Sequence, residues 1–507
     1  MKTGKRTPAI GEAYEVSGRR SNILLIMSDQ HAPGIMGCAG DPLIRTPNLD
    51  RLAEEGMRFS NAYCPSPLCV PSRMSFMTGR TPSRNRVWTN EGILSSGIST
   101  WAHALGIAGY HTALIGRMHF LGPDQRHGFM ERRVGERQAR FPGTPELGGP
   151  RYTRFPNAAA GQRRQSFEYA GRGPSFYQHY DTDVTDAACA FLQERKTIDK
   201  PFAAVAGFLL PHCPYIGPKD LFNYYYGRVE TSPETGCEPE CIRALYGWRH
   251  IDPPATEHQL RVARAAYYAM IEFMDRNVGR ILDSLERSGQ ADDTLVIYCS
   301  DHGDMLGEHG LWSKKCFYEQ SAGIPLVARL PGVTAPGSTC DSLCSLVDMA
   351  PTFVELTAAP AMHTDGESLL PLMQGGERRD RVVTSEVADM NGGSFEWLGK
   401  MVRQGDWKLW QHHRTEDDAD FPPVLFNLAD DPGERRNLAD DPGSAEVRAE
   451  LLAHLQHDWR PSEVIAEVRR QVHDWRMLCA WGNKVRPEHP DTYVWPGEDT
   501  EAELELL

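Results

Sequence analysis

The sequence predicts an α/β protein: a mainly parallel central sheet flanked by helices, with a smaller C-terminal subdomain carrying an antiparallel sheet. Three observations predict it. Continuous apolar runs of strand length end in polar clusters, helix-like stretches separate those runs, and near residue 376 the pattern changes to short strand-like segments.

Residues 22–27 (NILLIM) are an unbroken apolar run that ends at Ser28-Asp29-Gln30. A strand covered on both faces reads this way, and it delivers polar groups at its carboxyl end. Thr46-Pro47-Asn48 then opens an amphipathic helix through LDRLAEEG, with Asn48 the expected N-cap and Gly56 the stop. Residues 202–208 predict another strand, leading into Pro211-His212-Cys213-Pro214, and 294–299 (TLVIYC) a third, ending at Ser300-Asp301-His302. Helices are expected over 182–195 and 257–288. Parallel sheets bind ligands beyond the carboxyl ends of their strands, so the three polar clusters are expected to converge.

Residues 126–174, rich in Gly, Pro and Arg, read as a long loop or insertion over that site. Beyond 376, RVVTSEV, KMVRQGDWKLW and PVLFNL read as short antiparallel strands, and DDPGERRNLADDPG as a turn-rich acidic link. The expected division is an α/β domain over 20–375, an antiparallel subdomain over 376–460, and a tail over 461–507 available for oligomer or active-site contacts. The tail's Trp475, Trp481, Tyr493 and Trp495 read as packing or oligomer contacts rather than an aromatic box for a quaternary ammonium.

A chain of 507 residues can bury a large core, and 40% hydrophobic with 24% charged residues is ordinary for a globular protein. The formal net charge of −14 argues against nucleic acid as a partner. It also means that an anionic ligand must meet its cations in a focused pocket. No apolar run has the length of a secretory signal or a membrane span, so a cytoplasmic protein without a membrane partner is expected. The twelve cysteines suggest no disulfide framework. Cys237/Cys241 and Cys340/Cys344 lack the histidines or second pair of a zinc site and read as thiols.

Cys69 stands at the start of an expected helix, with Arg73 one turn on. The helix dipole and the guanidinium permit an activated thiol, a metal ligand, or neither. The longer segment CVPSRMSFMTGR resembles the complete maturation signature of the type I sulfatases, Cys-x-Pro-Ser-Arg followed by Thr-Gly-Arg. The resemblance implies an alkaline phosphatase superfamily fold, conversion of Cys69 to formylglycine by a formylglycine-generating enzyme, and hydrolysis of a small-molecule sulfate ester. A hydrated aldehyde suits such hydrolysis because it carries two hydroxyls on one carbon. One attacks sulfur, and the other later expels sulfate.

Asp29 and Asp301-His302, with Gln30 and the modified residue 69, are the expected ligands of one divalent ion, calcium or manganese first and magnesium next. SDHGDMLGEHGLW is similar to the family's second metal motif. Many members carry a second Asp where Gln30 stands, and Gln30 can ligate through its amide oxygen. Asp304, Glu308 and His309 are expected to support the site rather than ligate.

Gly116-Arg117-Met118-His119 resembles the family's Gly-Lys-x-His element, and its continuation FLGPDQRHGF is similar to choline sulfatases. The resemblance gives His119 the proton taken up when the hemiacetal collapses. Arg117 departs from the usual Lys; it can grip sulfate in a fork but does not readily donate a proton. Pro211-His212-Cys213-Pro214 resembles the His-x-Pro element, and Trp312-Ser313-Lys314 matches the sulfate-binding Lys. His212 or Lys314 is expected to protonate the leaving group. Asn90 corresponds to a sulfate-contacting Asn of the choline sulfatase type. Gly323 stands where relatives carry an Arg, so that contact is expected to be missing.

Three rivals follow. One is a phosphonate or phosphate ester hydrolase using the same formylglycine machinery. A second is a binding protein that kept the fold and lost turnover, favoured only by Arg117 and Gly323. The third, direct attack by a Cys69 thiolate, leaves Asp29 and Asp301-His302 unexplained. A homo-oligomer is the expected assembly.

Overall fold

Eight strands build the main sheet: β1 (Asn22–Ser28), β2 (Met57–Phe59), β3 (His111–Gly116), β4 (Glu131–Arg133), β5 (Phe202–Gly207), β6 (Thr294–Ser300), β7 (Leu326–Arg329) and β8 (Ser338–Cys340). The structure, a computed structural model, describes residues 15–16, 19–136, 163–231, 238–249, 254–377, 380–391, 394–415, 418–487, 491, 493 and 504–507. Most of the expected insertion (137–162), Cys237 and Trp495 lie outside the described residues. Across the sheet the order is β8-β2-β7-β6-β1-β5-β3-β4, and only β7 runs against its neighbours. The expected mainly parallel sheet is therefore present.

The apolar run of β1 is unbroken because both of its faces are covered. Ile23, Leu25 and Met27 point into one core, with Val70, Met74 and Met77 of helix α2 (Cys69–Thr78), which follows α1 (Pro47–Glu55). Leu24 and Ile26 point into the other, with Phe191 of α3 (Phe176–Arg195) and Val278 and Ile281 of α4 (Glu257–Ser288). Each such aliphatic side chain, taken fully from water, contributes about 1.5–3 kcal/mol.

A capping box sets the start of α4: Thr256 Oγ1 accepts from Gln259 N–H, and the Gln259 side chain accepts from Thr256 N–H. α1 departs from expectation. Its N-cap is Thr46, not Asn48, and Thr46 makes no side-chain cap bond. Asp275 of α4 instead accepts from the N–H groups of Asn48 and Leu49 at 3.2 and 2.8 Å. A partner 227 residues away satisfies donors that a local cap would otherwise serve.

The C-terminal sheet holds β9 (Val382–Asn391), β10 (Ser394–Gln404), β11 (Trp407–Arg414), β12 (Ala419–Asp420) and β13 (Val424–Asn427), all pairing antiparallel. Helices α5 (Ala445–Gln456) and α6 (Pro461–Val485) pack on it through Leu451, Leu455, Val464 and Val468, which meet Leu398, Val402 and Leu409. Lys408 of β11 ties this unit to the loop after β6, donating to Glu319 at 2.6 Å and lying 2.5 Å from Glu434. Among the described residues, no helix is long and apolar enough to cross a membrane.

Candidate active site

Four adjacent strands end level with one another. The register pairs Gly116 with Gly207, Gly207 with Met27, and Met27 with Cys299, so the residues just beyond these positions share one end of the sheet. Asp29 and Gln30 follow β1, Asp301 and His302 follow β6, Arg117 follows β3, and His212 lies in the loop after β5. Two glycines make the crowding at β3 and β5 feasible. Gly116 has φ of +91°, and a Cβ at Gly207 would lie 1.9 Å from the Arg117 carbonyl oxygen.

Cys69 begins α2, and its side chain is buried against these strand ends. Its Sγ is 3.0 Å from Lys314 Nζ, 3.2 Å from His302 Nε2 and 3.7 Å from Asp29 Oδ1. Asp29, Cys69, Asp301 and His302 each bring a ligand atom within 4.8 Å of the others. His302 Nδ1 donates to the Gly303 carbonyl at 3.0 Å, so the neutral ring presents its Nε2 lone pair to the carboxylates. Two carboxylates and a correctly presented imidazole fit a divalent cation.

Arg73 binds both carboxylates, Asp301 at 2.8 Å and Asp29 at 3.0 Å, and Arg117 binds Asp29 at 2.6 Å. All four side chains are almost completely buried. Burial alone would favour a neutral Asp29, but Arg117, His212, Arg73 and Lys314 hold its carboxyl well below the usual range. Burial and Asp29 push the Cys69 thiol up, while Lys314 and His302 outweigh them and leave it below the ordinary thiol value. Burial works against the Lys314 ammonium, yet Cys69 and Asp29 raise it above the usual lysine range.

His212 Nε2 is 4.0 Å from Asp29. His119 joins the cluster through Arg117, whose Nη2 lies 2.8 Å from its Nδ1. Asn90 approaches from the side; its Oδ1 accepts the Val70 N–H at 3.0 Å, serving an otherwise unpaired donor in the first turn of α2. At Gly323, a Cβ would sit 2.6 Å from the Glu319 carbonyl oxygen, so this backbone leaves no room for a larger side chain.

Three buried acids escaped the sequence reading or were placed only loosely by it. Glu136 accepts the His119 N–H at 2.8 Å and lies 3.7 Å from Arg117 Nη1. Asp181 of α3 accepts from Leu209 and Leu210 N–H, fixing the loop that carries His212. Asp304, expected to support the site, accepts from Gln30, Tyr215, Leu306 and Ser313. Glu136 and Asp181 stand in stretches that carry no motif, and Asp181 is one of three acids in DTDVTD with nothing to single it out. The tail meets the same place, for Glu136 exchanges main-chain bonds with Asp491 and Tyr493.

The fold and these converging groups define a hydrolase of the alkaline phosphatase-like class. The family model "Sulfatase" matches residues 21–359, and the model "N-sulphoglucosamine sulphohydrolase, C-terminal" matches 307–460. The chain is 36% identical over 442 residues to the choline-sulfatase of Rhizobium meliloti, covering 82% of this chain and 83% of that one. It shares its fold with a protein solved with its substrate D-glucosamine-2-N,6-O-disulfate, at TM-score 0.68 and 23% identity over 90% of this chain and 99% of that one. The phosphonate monoester hydrolase of Silicibacter pomeroyi is similar in fold too, with TM-score 0.70 and 23% identity over 86% of this chain and 95% of that one. The chain belongs to the type I sulfatase family. It is a sulfatase, a hydrolase of sulfuric esters.

Proposed function

We propose that the protein cleaves a small-molecule sulfate monoester with a formylglycine hydrate made from Cys69, beside one divalent cation. The observation that carries this reading is the position of Cys69 Sγ, in contact with Lys314 and His302 and close to Asp29. Asp29, Asp301, His302 and the Gln30 amide oxygen would hold the cation, calcium or manganese first and magnesium next. When bound, such an ion eases deprotonation of the attacking hydroxyl and offsets charge on sulfuryl oxygens.

A formylglycine-generating enzyme supplies the two-electron oxidant; the Cβ–S bond of residue 69 breaks, sulfur leaves as sulfide, an oxygen takes its place to give an aldehyde, and water hydrates it. One hydroxyl oxygen then bonds to sulfur while the bond from sulfur to the ester oxygen breaks. Lys314 is the standing donor to the leaving oxygen, because its ammonium stays charged at neutral pH. His212 shares its Nδ1 with the Cys213 carbonyl, so its Nε2 can donate only when the ring is protonated. Arg117, His212 and Lys314 cradle the sulfuryl oxygens, with Asn90 at their edge, and Arg73 holds the two carboxylates in place.

Release reverses the roles. The second hydroxyl loses its proton to His119, the bond from carbon to the sulfate oxygen breaks with its electron pair on sulfate, and the aldehyde returns. Arg117 is drawn toward the substrate anion, which frees His119 Nδ1 for that proton. The exposed stripe of Met477, Trp481 and Val485 on α6, at helical spacing, supports a homo-oligomer.

The test is the mass of the peptide spanning residue 69 in protein made with the maturation enzyme, together with Cys69→Ala. Replacement of sulfur by oxygen and loss of turnover by about three orders of magnitude or more are expected. An unmodified cysteine in fully active protein would sink the mechanism. The likeness to a phosphonate monoester hydrolase favours a second reading, in which a phosphonate ester is the better substrate. Comparing kcat/KM for an aryl sulfate and an aryl phosphonate decides between them.

A further inference from the structure

Gln30 is buried, and the two ends of its amide face opposite kinds of partner. Nε2 lies 2.6 Å from Asp304 Oδ2, and Oε1 lies 2.7 Å from Lys314 Nζ. The oxygen and nitrogen of an amide are nearly the same size, so the partners decide which way it points. A carboxylate only accepts and an ammonium only donates. Both contacts therefore demand the same orientation, with nitrogen toward Asp304 and oxygen toward Lys314. The Lys314 ammonium also touches Cys69 Sγ and lies 4.0 Å from Asp29, so the Gln30 oxygen is on the side of the amide nearer the group of ligand atoms, one ammonium away from them.

Asp304 cannot turn to suit Gln30. Its Oδ1 accepts from Leu306 N–H at 2.8 Å and Ser313 N–H at 3.0 Å, closing the loop that presents Lys314. Tyr215 donates to Oδ2 at 2.8 Å. With Oδ1 committed to the backbone, Oδ2 is the acceptor that Gln30 meets.

We infer that Asp304 is a positioning residue that, together with Lys314, fixes the polarity of Gln30 and keeps its amide oxygen on the side of the cation site. The inference rests on the proposed metal site. It explains how a neutral glutamine can serve beside a cation: held the other way round, its NH2 group would face Lys314. Asp304 acts only through Gln30 and the loop, without touching the ion.

The test is calorimetric titration of metal-stripped, full-length protein with Mn²⁺, which needs no turnover. In Asp304→Asn the amide oxygen keeps the Leu306 and Ser313 bonds, while its NH2 group takes the place of Oδ2. Two donors then meet, while a flip would set the Gln30 NH2 group against the Lys314 ammonium; the amide fits in neither orientation, and Mn²⁺ affinity is expected to fall by about tenfold or more, with the thermal transition retained. Adding Gln30→Glu restores an acceptor on both sides and is expected to return the affinity to the wild-type value or better. Gln30→Glu alone sets a carboxylate against Asp304 and is expected to bind less tightly than the pair.

Wild-type affinity in Asp304→Asn, no recovery in the double variant, or tightest binding by Gln30→Glu alone would each overturn the inference while leaving the metal site standing. Absence of Mn²⁺ binding by the wild type would instead remove the metal site, and this inference with it.

Discussion

Arg117 Nη2 donates to His119 Nδ1 across 2.8 Å. A guanidinium cannot accept, so the neutral imidazole carries its proton on Nε2, and Nδ1 becomes available as a base only when Arg117 lets go. Arg117→Lys is expected to stay within about tenfold of the wild-type kcat/KM on an aryl sulfate, because a lysine keeps the charge beside Asp29. Arg117→Ala is expected to lose about 10²–10³-fold. Equal rates for the alanine variant and the wild type would exclude Arg117 from catalysis.

Removal of the cation is expected to abolish turnover, and one of Ca²⁺, Mn²⁺ or Mg²⁺ is expected to restore it. The measurement is activity after exhaustive chelation and dialysis, then after stepwise addition of each ion. Full rate in demetallated protein would contradict the donor chemistry of Asp29, Asp301 and His302.

Asp29 sits between two guanidiniums in a buried cluster. Asp29→Asn would leave Arg73 and Arg117 without a shared counter-charge, at a cost of about 3–5 kcal/mol. Denaturant unfolding of metal-stripped protein reads this directly, since the ion's own contribution is then absent. A midpoint equal to wild type would mean that the cluster relaxes around the lost charge.

Burial pushes the Asp181 carboxyl up to about 8 from 3.8, against the pull of the Leu209 and Leu210 N–H groups. The sign follows from linkage: the folded state binds the proton more tightly than the unfolded chain. The stability from this group is fully present below the unfolded value and is lost as pH rises through about 8. Asp181→Asn is expected to flatten the fall in unfolding free energy between about pH 4 and pH 8. Parallel pH profiles for the two proteins would refute the shift.

Much of the site was legible because strand ends are marked. The runs at 22–27 and 294–299 stop abruptly at acids, and a buried parallel strand has no other reason to read that way. The segment around Cys69 was legible through its motif. What escaped were single acids whose importance lies in distant partners: Asp275 capping α1, Glu136 holding His119, and Asp181 holding the His212 loop. Such pairings join residues far apart in the chain, and one sequence carries no periodicity that announces them. Strand β3 was also missed, since its run of His111 to Gly116 begins with a polar pair that leaves few apolar residues in a row.

The pairing of Ser28 with Ser300 gives the proposed metal site a built-in gauge. Neighbouring strands stand about 4.8 Å apart wherever backbone hydrogen bonds form, so the spacing of the groups that follow is inherited from peptide geometry. Surrounding loops can lengthen, shorten or change composition while that interval stays constant. New leaving groups can thus be explored by altering the rim alone, with the chemistry underneath conserved by architecture.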